Sequence, residues 1–300
     1  MVSLRKKLKT IDFLLGVVFI FLFVCFLLSL RYLNTDKIPQ PSAISRGHSQ
    51  DVYDSSLSRL SSINAIIAYC DSIQASQHIS SSYPDIISEV IRERFYHGYS
   101  YYAYNTNVIG VLFEPLVKKG LSAIVIPDDI AKYPNAACSQ QSIVGMEIFR
   151  RKGFKVRKVA MYDSVIHVGH FAYEVYYKNS WHFFDTDQEP DMSILVKYGR
   201  PSVEQLKANP AVVFEAYKHK SNPEMFGRLI ASAKFGPVNK FPAPRALIYQ
   251  RVTKYLSYWG WLFALGVIGL RLVLIYGTKK RRSSLRFLEN AGAEPAFSTT

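Results

Sequence analysis

At 300 residues the chain has room for one or two domains. Its composition, 49% hydrophobic, 20% charged and 14% aromatic, excludes a disordered polar chain. The formal net charge of +14 raises nucleic acid as a partner, and its distribution removes that reading.

The first element is Phe13 to Leu30, an uncharged, proline-free run of 18 residues, about the minimum that crosses an ~30 Å hydrocarbon core. It is too long for the apolar stretch of a signal peptide, and Ser29-Leu30-Arg31 is a poor cleavage site, so it reads as an uncleaved anchor. A second run, Tyr255 to Tyr276, opens with Tyr255, Tyr258, Trp259 and Trp261, residues that favour the membrane–water interface. Its one charge, Arg271, is expected to snorkel toward Lys279–Arg282. Arg5, Lys6, Lys7 and Lys9 precede the first span, and Lys279, Lys280, Arg281, Arg282 and Arg286 follow the second. The positive-inside rule then places both termini in the cytoplasm. The region between lies outside the plasma (inner) membrane, in a periplasm or an equivalent extracytoplasmic space.

Residues 32–254 hold 26 Lys+Arg against 20 Asp+Glu, a net of +6. More than half of the net charge of +14 therefore belongs to the membrane flanks and tails. The basic balance is a topology signal, and no nucleic acid is called for.

Between the spans, residues 31–58 are rich in Ser, Asp, Pro and Gln and read as a linker. Helical spacing recurs at Leu60, Ile63, Ile66 and Ile67, and again after Pro84 through Ile86, Ile87, Val90 and Ile91. A third helix is expected over Val108–Lys119, stopped by Gly120, and a short strand over Ser122–Pro127. Ser139 to Lys152 forms the clearest helix, with Arg150, Arg151 and Lys152 at its negative end and Gly153 as the residue after its cap. Lys155–Tyr162 and Ile166–Tyr177 alternate apolar and polar residues, and Trp181–Asp187 is the return strand. A helix followed by antiparallel strands gives an α+β domain over 59–190. Residues 191–254 form a helical and irregular extension, and residues 1–12 and 277–300 are basic tails outside the spans at 13–30 and 255–276.

Cys138 stands directly before the Ser139–Lys152 helix. A thiol at a helix N-terminus meets unpaired N–H groups and the positive end of the dipole, both of which favour the nucleophilic thiolate. A two-residue Lys178-Asn179 turn pairs Tyr177 with Ser180, Ala172 with Asp185 and His170 with Asp187. Asp185 then lies diagonal to His170, close enough to hold one ring nitrogen and leave the other for a thiol. Asp187 is the rival orienting group.

The stretch "YPNAACSQQSIVGMEIFRRKGFKVRKVAMYDSVIHVGHFAYEVYYKNSWHFFDTDQEP", residues 133–190, resembles the transglutaminase-like superfamily, which shares the papain-like thiol fold. The matching features are Cys138 opening a helix, Gly153, Gly169-His170, Glu174-Val175, Trp181 and Asp185, in order. Ala136-Ala137 and Phe171-Ala172-Tyr173 depart from the pattern beside the reacting groups. The resemblance, to a membrane-anchored bacterial member, implies a papain-like/transglutaminase-like core between two transmembrane helices. It implies Cys138 as nucleophile, His170 as base and Asp185 as orienter.

The expected chemistry is acyl transfer on an amide bond, by hydrolysis (peptidase or amidase) or by transamidation. Protein, peptide or envelope polymer is the expected substrate, with no cofactor and no metal. His167 and His170, three apart on a strand, point to opposite faces and do not make a metal pair. The alternative is a non-catalytic envelope binding or scaffold module that keeps the fold. A Cys70–Cys138 disulfide is the competing use of the thiol, and Gln140 and Gln141 are weaker candidates for oxyanion donors than the Cys138 N–H.

Overall fold

A computed structural model describes residues 2–33, 52–76 and 82–291. By its contacts the chain divides into two units. One gathers the N-terminal helix, residues 104–112 and the C-terminal helix from residue 252; the other holds the described residues between them.

The first unit is built on α1 (Val2–Leu33) and α11 (Pro244–Ala291). Thr10–Leu30 and Pro244–Gly277 are long and apolar enough to cross a membrane. The two helices pack through Leu22, Cys25 and Ala264, and Trp261 meets Phe23 and Phe26 ring against ring. Gly260 permits the approach: a Cβ there would stand 3.2 Å from a Leu22 methyl. The guanidinium of Arg271 pairs with Asp12 of the neighbouring helix.

The second unit is α+β. It begins with a 3₁₀ turn at Ser55–Arg59, which buries Leu57, so the part of the expected linker from residue 52 on that is described already packs on the domain; residues 34–51 lie outside the described residues. Then come α2 (Ile63–Ser76), α3 (Tyr83–Arg94), α4 (Val108–Val117, shared with the first unit), α5 (Pro127–Ile130) and α6 (Cys138–Arg151). A hairpin pair follows, β1 (Lys155–Asp163), β2 (Val168–Tyr177) and β3 (Ser180–Phe184). After it stand α7 (Met192–Lys197), α8 (Val203–Ala208), α9 (Pro210–Tyr217), α10 (Pro223–Ala231) and the edge strand β4 (Lys234–Phe235). The sheet order is β3-β2-β1-β4, antiparallel throughout.

Lys178 and Asn179 take φ of 47° and 63°, the left-handed pair of a two-residue hairpin turn. Tyr177 pairs with Ser180 and Tyr173 with Phe184, the expected register. On one side of the sheet, Tyr173 and Phe184 stack and meet Phe149 of α6. Gly145 lets Tyr173 in, since a Cβ there would fall 2.6 Å from its hydroxyl. A second core joins Val159, Met161, Ala172 and Phe183 to Leu195, Val203, Leu206, Val213, Phe226 and Leu229 from α7–α10. The extension after residue 190 is thus part of the domain's core.

Three expectations on the elements are corrected. Strand β3 ends at Phe184 rather than Asp187, so His170 does not face Asp187 across a ladder. Helix α4 ends at Val117. Ser122–Pro127 is no strand: Tyr101↔Ala123 is an isolated bridge, and α5 begins at Pro127. Two backbone bonds hold the segment to its neighbour, Tyr102 N–H to the Ser122 carbonyl and Ile124 N–H to that of Ser100, and side-chain amides take up the rest. Gln250 accepts from the Val125 N–H and donates to the Leu121 and Ala123 carbonyls, while Gln140 donates to that of Ile124.

Candidate active site

Cys138 is held by the segment that leads into α6. Tyr96 and Asn135 form a parallel bridge, with the Tyr96 N–H donating to the Pro134 carbonyl and the Ala136 N–H to that of Tyr96, both at 3.1 Å. Behind them Arg94, fully buried, donates to the carbonyls of Ser58, Leu60, Ala131 and Tyr133. A buried cation tolerates this place only because polar oxygens surround it; burial lowers its pKa to about 10. Ala136 and Ala137 are themselves buried.

Gln140 is a structural clamp. Its amide nitrogen donates to the Ser100 and Ile124 carbonyls, and its oxygen accepts from the Ser100 and Ala137 N–H groups. Gln141 donates to the Ala136 carbonyl and to Asp187. Neither amide is available to an oxyanion, which corrects that expectation for both. The Cys138 N–H, by contrast, has no protein acceptor among the described residues, as a first-turn helix donor should.

Of the predicted site residues, Cys138, His170 and Asp185 come together. The His170 Nε2–H donates to Asp185 Oδ2 at 2.9 Å. Its ring lies beside the Cys138 side chain, with Sγ and a ring nitrogen within 4.8 Å of each other. Asp185, 1% exposed, also accepts from the Tyr217 hydroxyl at 2.9 Å and from the Gln188 N–H at 3.2 Å. Burial pulls His170 toward the neutral form, but the Asp185 charge, its hydrogen bond and the Cys138 side chain outweigh that and hold the imidazole well above its usual pKa. Burial pushes Asp185 up; the His170 charge and the three hydrogen bonds hold it below the carboxylate range. Both directions favour an imidazolium–carboxylate pair.

Asp187 does not orient His170. It accepts from His97 Nδ1 at 2.7 Å, from Gln141 Nε2 at 3.1 Å and from Gln188 Nε2 at 2.8 Å. Cys138 Sγ, a His170 nitrogen and an Asp187 oxygen do lie within 4.8 Å of one another, a spacing that a metal ion could bridge. Both oxygens of Asp187 and Nε2 of His170 are already committed to hydrogen bonds, so as it stands the group is a thiol with two acid–base neighbours. His167, at φ 55°, turns away to Tyr162. All three thiols are free; Cys70 is buried and its pKa is pushed up to about 12 by burial and Asp71.

Sequence reasoning missed Tyr217 and His97. Tyr217 belongs to α9 in the extension, where nothing local marks it, and His97 sits in an aromatic-rich loop. It also missed Glu189, which lines a cavity of about 160 Å³ with Arg92, Gln141, Thr186, Asp187 and Lys220. Burial pushes Glu189 up to about 7, against the pull of Arg200 and Arg92. The folded chain therefore keeps a proton that the unfolded chain releases above about 4.3, and stability falls as pH rises between these values. Glu189→Gln removes that loss. Thermal unfolding of the full chain is expected to show the variant more stable at pH 8 by on the order of 3–4 kcal/mol, with the gain gone at pH 4.

No protein-family model matches the chain, and no curated protein matches it. Among solved structures, one described as "Crystal structure of a TGase" is similar at a TM-score of 0.28 and 16% identity, over 44% of this chain and 31% of its own. At that TM-score the likeness adds no weight, and the site's own geometry has to stand alone.

Proposed function

We propose that the chain is a membrane-anchored cysteine enzyme of the transglutaminase-like kind, working on amide bonds outside the cytoplasm. Both termini are cytoplasmic in this reading, α1 and α11 cross the membrane, and the α+β domain with its 191–254 extension carries the site. The supporting observation is the placement of one imidazole: His170 gives Nε2 to buried Asp185, and a ring nitrogen of His170 lies within 4.8 Å of the Cys138 thiol at the N-terminus of α6.

Cys138 acts as the nucleophile, His170 as the general base and acid, and Asp185 as the group that fixes the ring. The sulfur attacks an amide carbonyl; the C–N bond breaks and His170 gives its proton to the departing amine. The resulting thioester passes its acyl group to water, or to a second amine, with His170 taking the proton from the acceptor. The Cys138 N–H faces the developing oxyanion. No cofactor enters this scheme.

The test incubates the full chain in lipid vesicles with glutamine-containing peptides, with and without a fluorescent primary amine. Release of ammonia or a cleaved amine that Cys138→Ala abolishes supports acyl transfer, and incorporation of the amine assigns transamidation over hydrolysis. Equal release by wild type and Cys138→Ala would sink the reading.

A further inference from the structure

Helix α4 is ten residues long, about 15 Å, too short to cross a bilayer. It is nevertheless apolar along half its circumference. At 100° per residue, Val108, Leu112, Leu116, Ile109, Phe113 and Val117 fill one continuous face, with Glu114 on the other side. The first turn of that face is sealed: Val108 and Ile109 are buried in one cluster with Leu22, Cys25 and Ala264. The following turns open outward, with Leu112 42% and Phe113 39% exposed. Leu116 is 80% exposed and Val117 59%, in the range of span residues such as Phe13 at 71% and Phe263 at 73%.

The cluster partners fix how deep the helix begins. Leu22 lies eight residues before Leu30, the end of the N-terminal apolar stretch, or about 12 Å along the helix axis. That depth is within the hydrocarbon of one leaflet, roughly 15 Å thick. A helix end placed there must satisfy its free N–H groups from the protein, because lipid offers no acceptors. It does so. The Ile109 N–H donates to Ser257 Oγ and the Gly110 N–H to Asn107 Oδ1, each at 3.0 Å. Asn107 Nδ2 donates to Thr253 Oγ1 at 3.0 Å, and Ser257 Oγ to the Thr253 carbonyl at 2.8 Å. Asn107, Thr253 and Ser257 are all buried. Polar side chains closed inward, with an apolar face outward, are the arrangement that lipid demands. Lys118 and Lys119 follow directly, where phosphate headgroups would meet them.

We propose that α4 is a membrane-inserted helix: its Leu112–Phe113–Leu116–Val117 face lies among the lipid acyl chains of the outer leaflet, at the level of the headgroup boundary by its C-terminal end. This rests on the reading that α1 and α11 span the membrane, and it adds a third contact with lipid that a two-anchor topology does not contain. The chain then meets the bilayer surface at Lys118 as well as through its two spans.

The test uses the full chain in phospholipid vesicles, in a Cys138→Ser background where the remaining thiols, Cys25 and Cys70, are buried. A single added cysteine at Leu116, Phe263 or Lys197 carries an environment-sensitive fluorophore, and lipids bearing a nitroxide near the carbonyl end of the acyl chain act as quencher. The inference expects at least about twofold quenching at 116 and at 263, with little at 197. Quenching at 263 but not at 116 overturns it while leaving the anchors in place. Absence of quenching at both 116 and 263 removes the membrane reading and the inference with it. Self-quenching at 116 that depends on the protein-to-lipid ratio and ignores the nitroxide assigns the face to a second copy of the chain, and also overturns it.

Discussion

His170→Ala lowers the rate at which iodoacetamide alkylates Cys138 at pH 6 by at least about tenfold. An isolated thiol of pKa ~8.5 is only about 0.3% thiolate at that pH, so fast alkylation requires a neighbour that takes the proton. In the proposed mechanism His170 is that neighbour: its Nε2 is tied to Asp185, a ring nitrogen lies within 4.8 Å of the sulfur, and Asp185 and Cys138 together favour its cation. The chain supplies its own controls, because the other two cysteines are buried, and peptide mapping separates the three. Alkylation of Cys138 that is equally fast in His170→Ala would mean that the helix N-terminus alone activates the thiol.

Asp185→Ala carries the second large effect, on stability as well as on reactivity. The carboxylate is 1% exposed and receives His170, Tyr217 and Gln188. Removing it leaves a buried imidazole and a buried phenol without an acceptor, which costs about 3–5 kcal/mol when a buried charged pair is broken from one side. It also frees the ring to turn, and loss of the orienting group is expected to lower turnover by about 10²–10⁴-fold. Tyr217→Phe removes one donor and leaves the His170 bond intact, so a loss of about 1 kcal/mol is expected, with activity reduced by less than about tenfold. Denaturant unfolding read beside esterase activity separates the two variants. A Tyr217→Phe variant as damaged as Asp185→Ala would assign the orienting role to the phenol instead.

The parts of this site that were legible in the sequence are those fixed by local geometry. Gly153 after a basic last turn marked the end of α6 and hence its beginning at Cys138. Lys178-Asn179 set the hairpin register, and with it the nearness of His170 to Asp185. The choice between Asp185 and Asp187 was not legible, because it depends on β3 ending at Phe184. Beyond that point no ladder holds the chain, and each carboxylate goes where tertiary partners take it: Asp185 to His170 and Tyr217, Asp187 to His97 and Gln141. Tyr217 was invisible for the same reason. Its helix reads as one more apolar segment until α7–α10 are seen to close the second core. Gln140 misled in the opposite direction, since an amide in the first turn of a helix gives no sign from sequence that four backbone groups already occupy it.

The formation of a thioester on Cys138 is the step on which the whole account depends. The direct measurement mixes the full chain with p-nitrophenyl acetate, quenches in acid within the first turnover and maps the protein by mass spectrometry. The account predicts a burst of nitrophenol equal to the enzyme present and one acetyl group on the Cys138 peptide, both lost in Cys138→Ser and strongly reduced in His170→Ala. A folded wild-type chain that gives no burst and an unmodified Cys138 would contradict it, and would leave a binding domain built around an idle thiol.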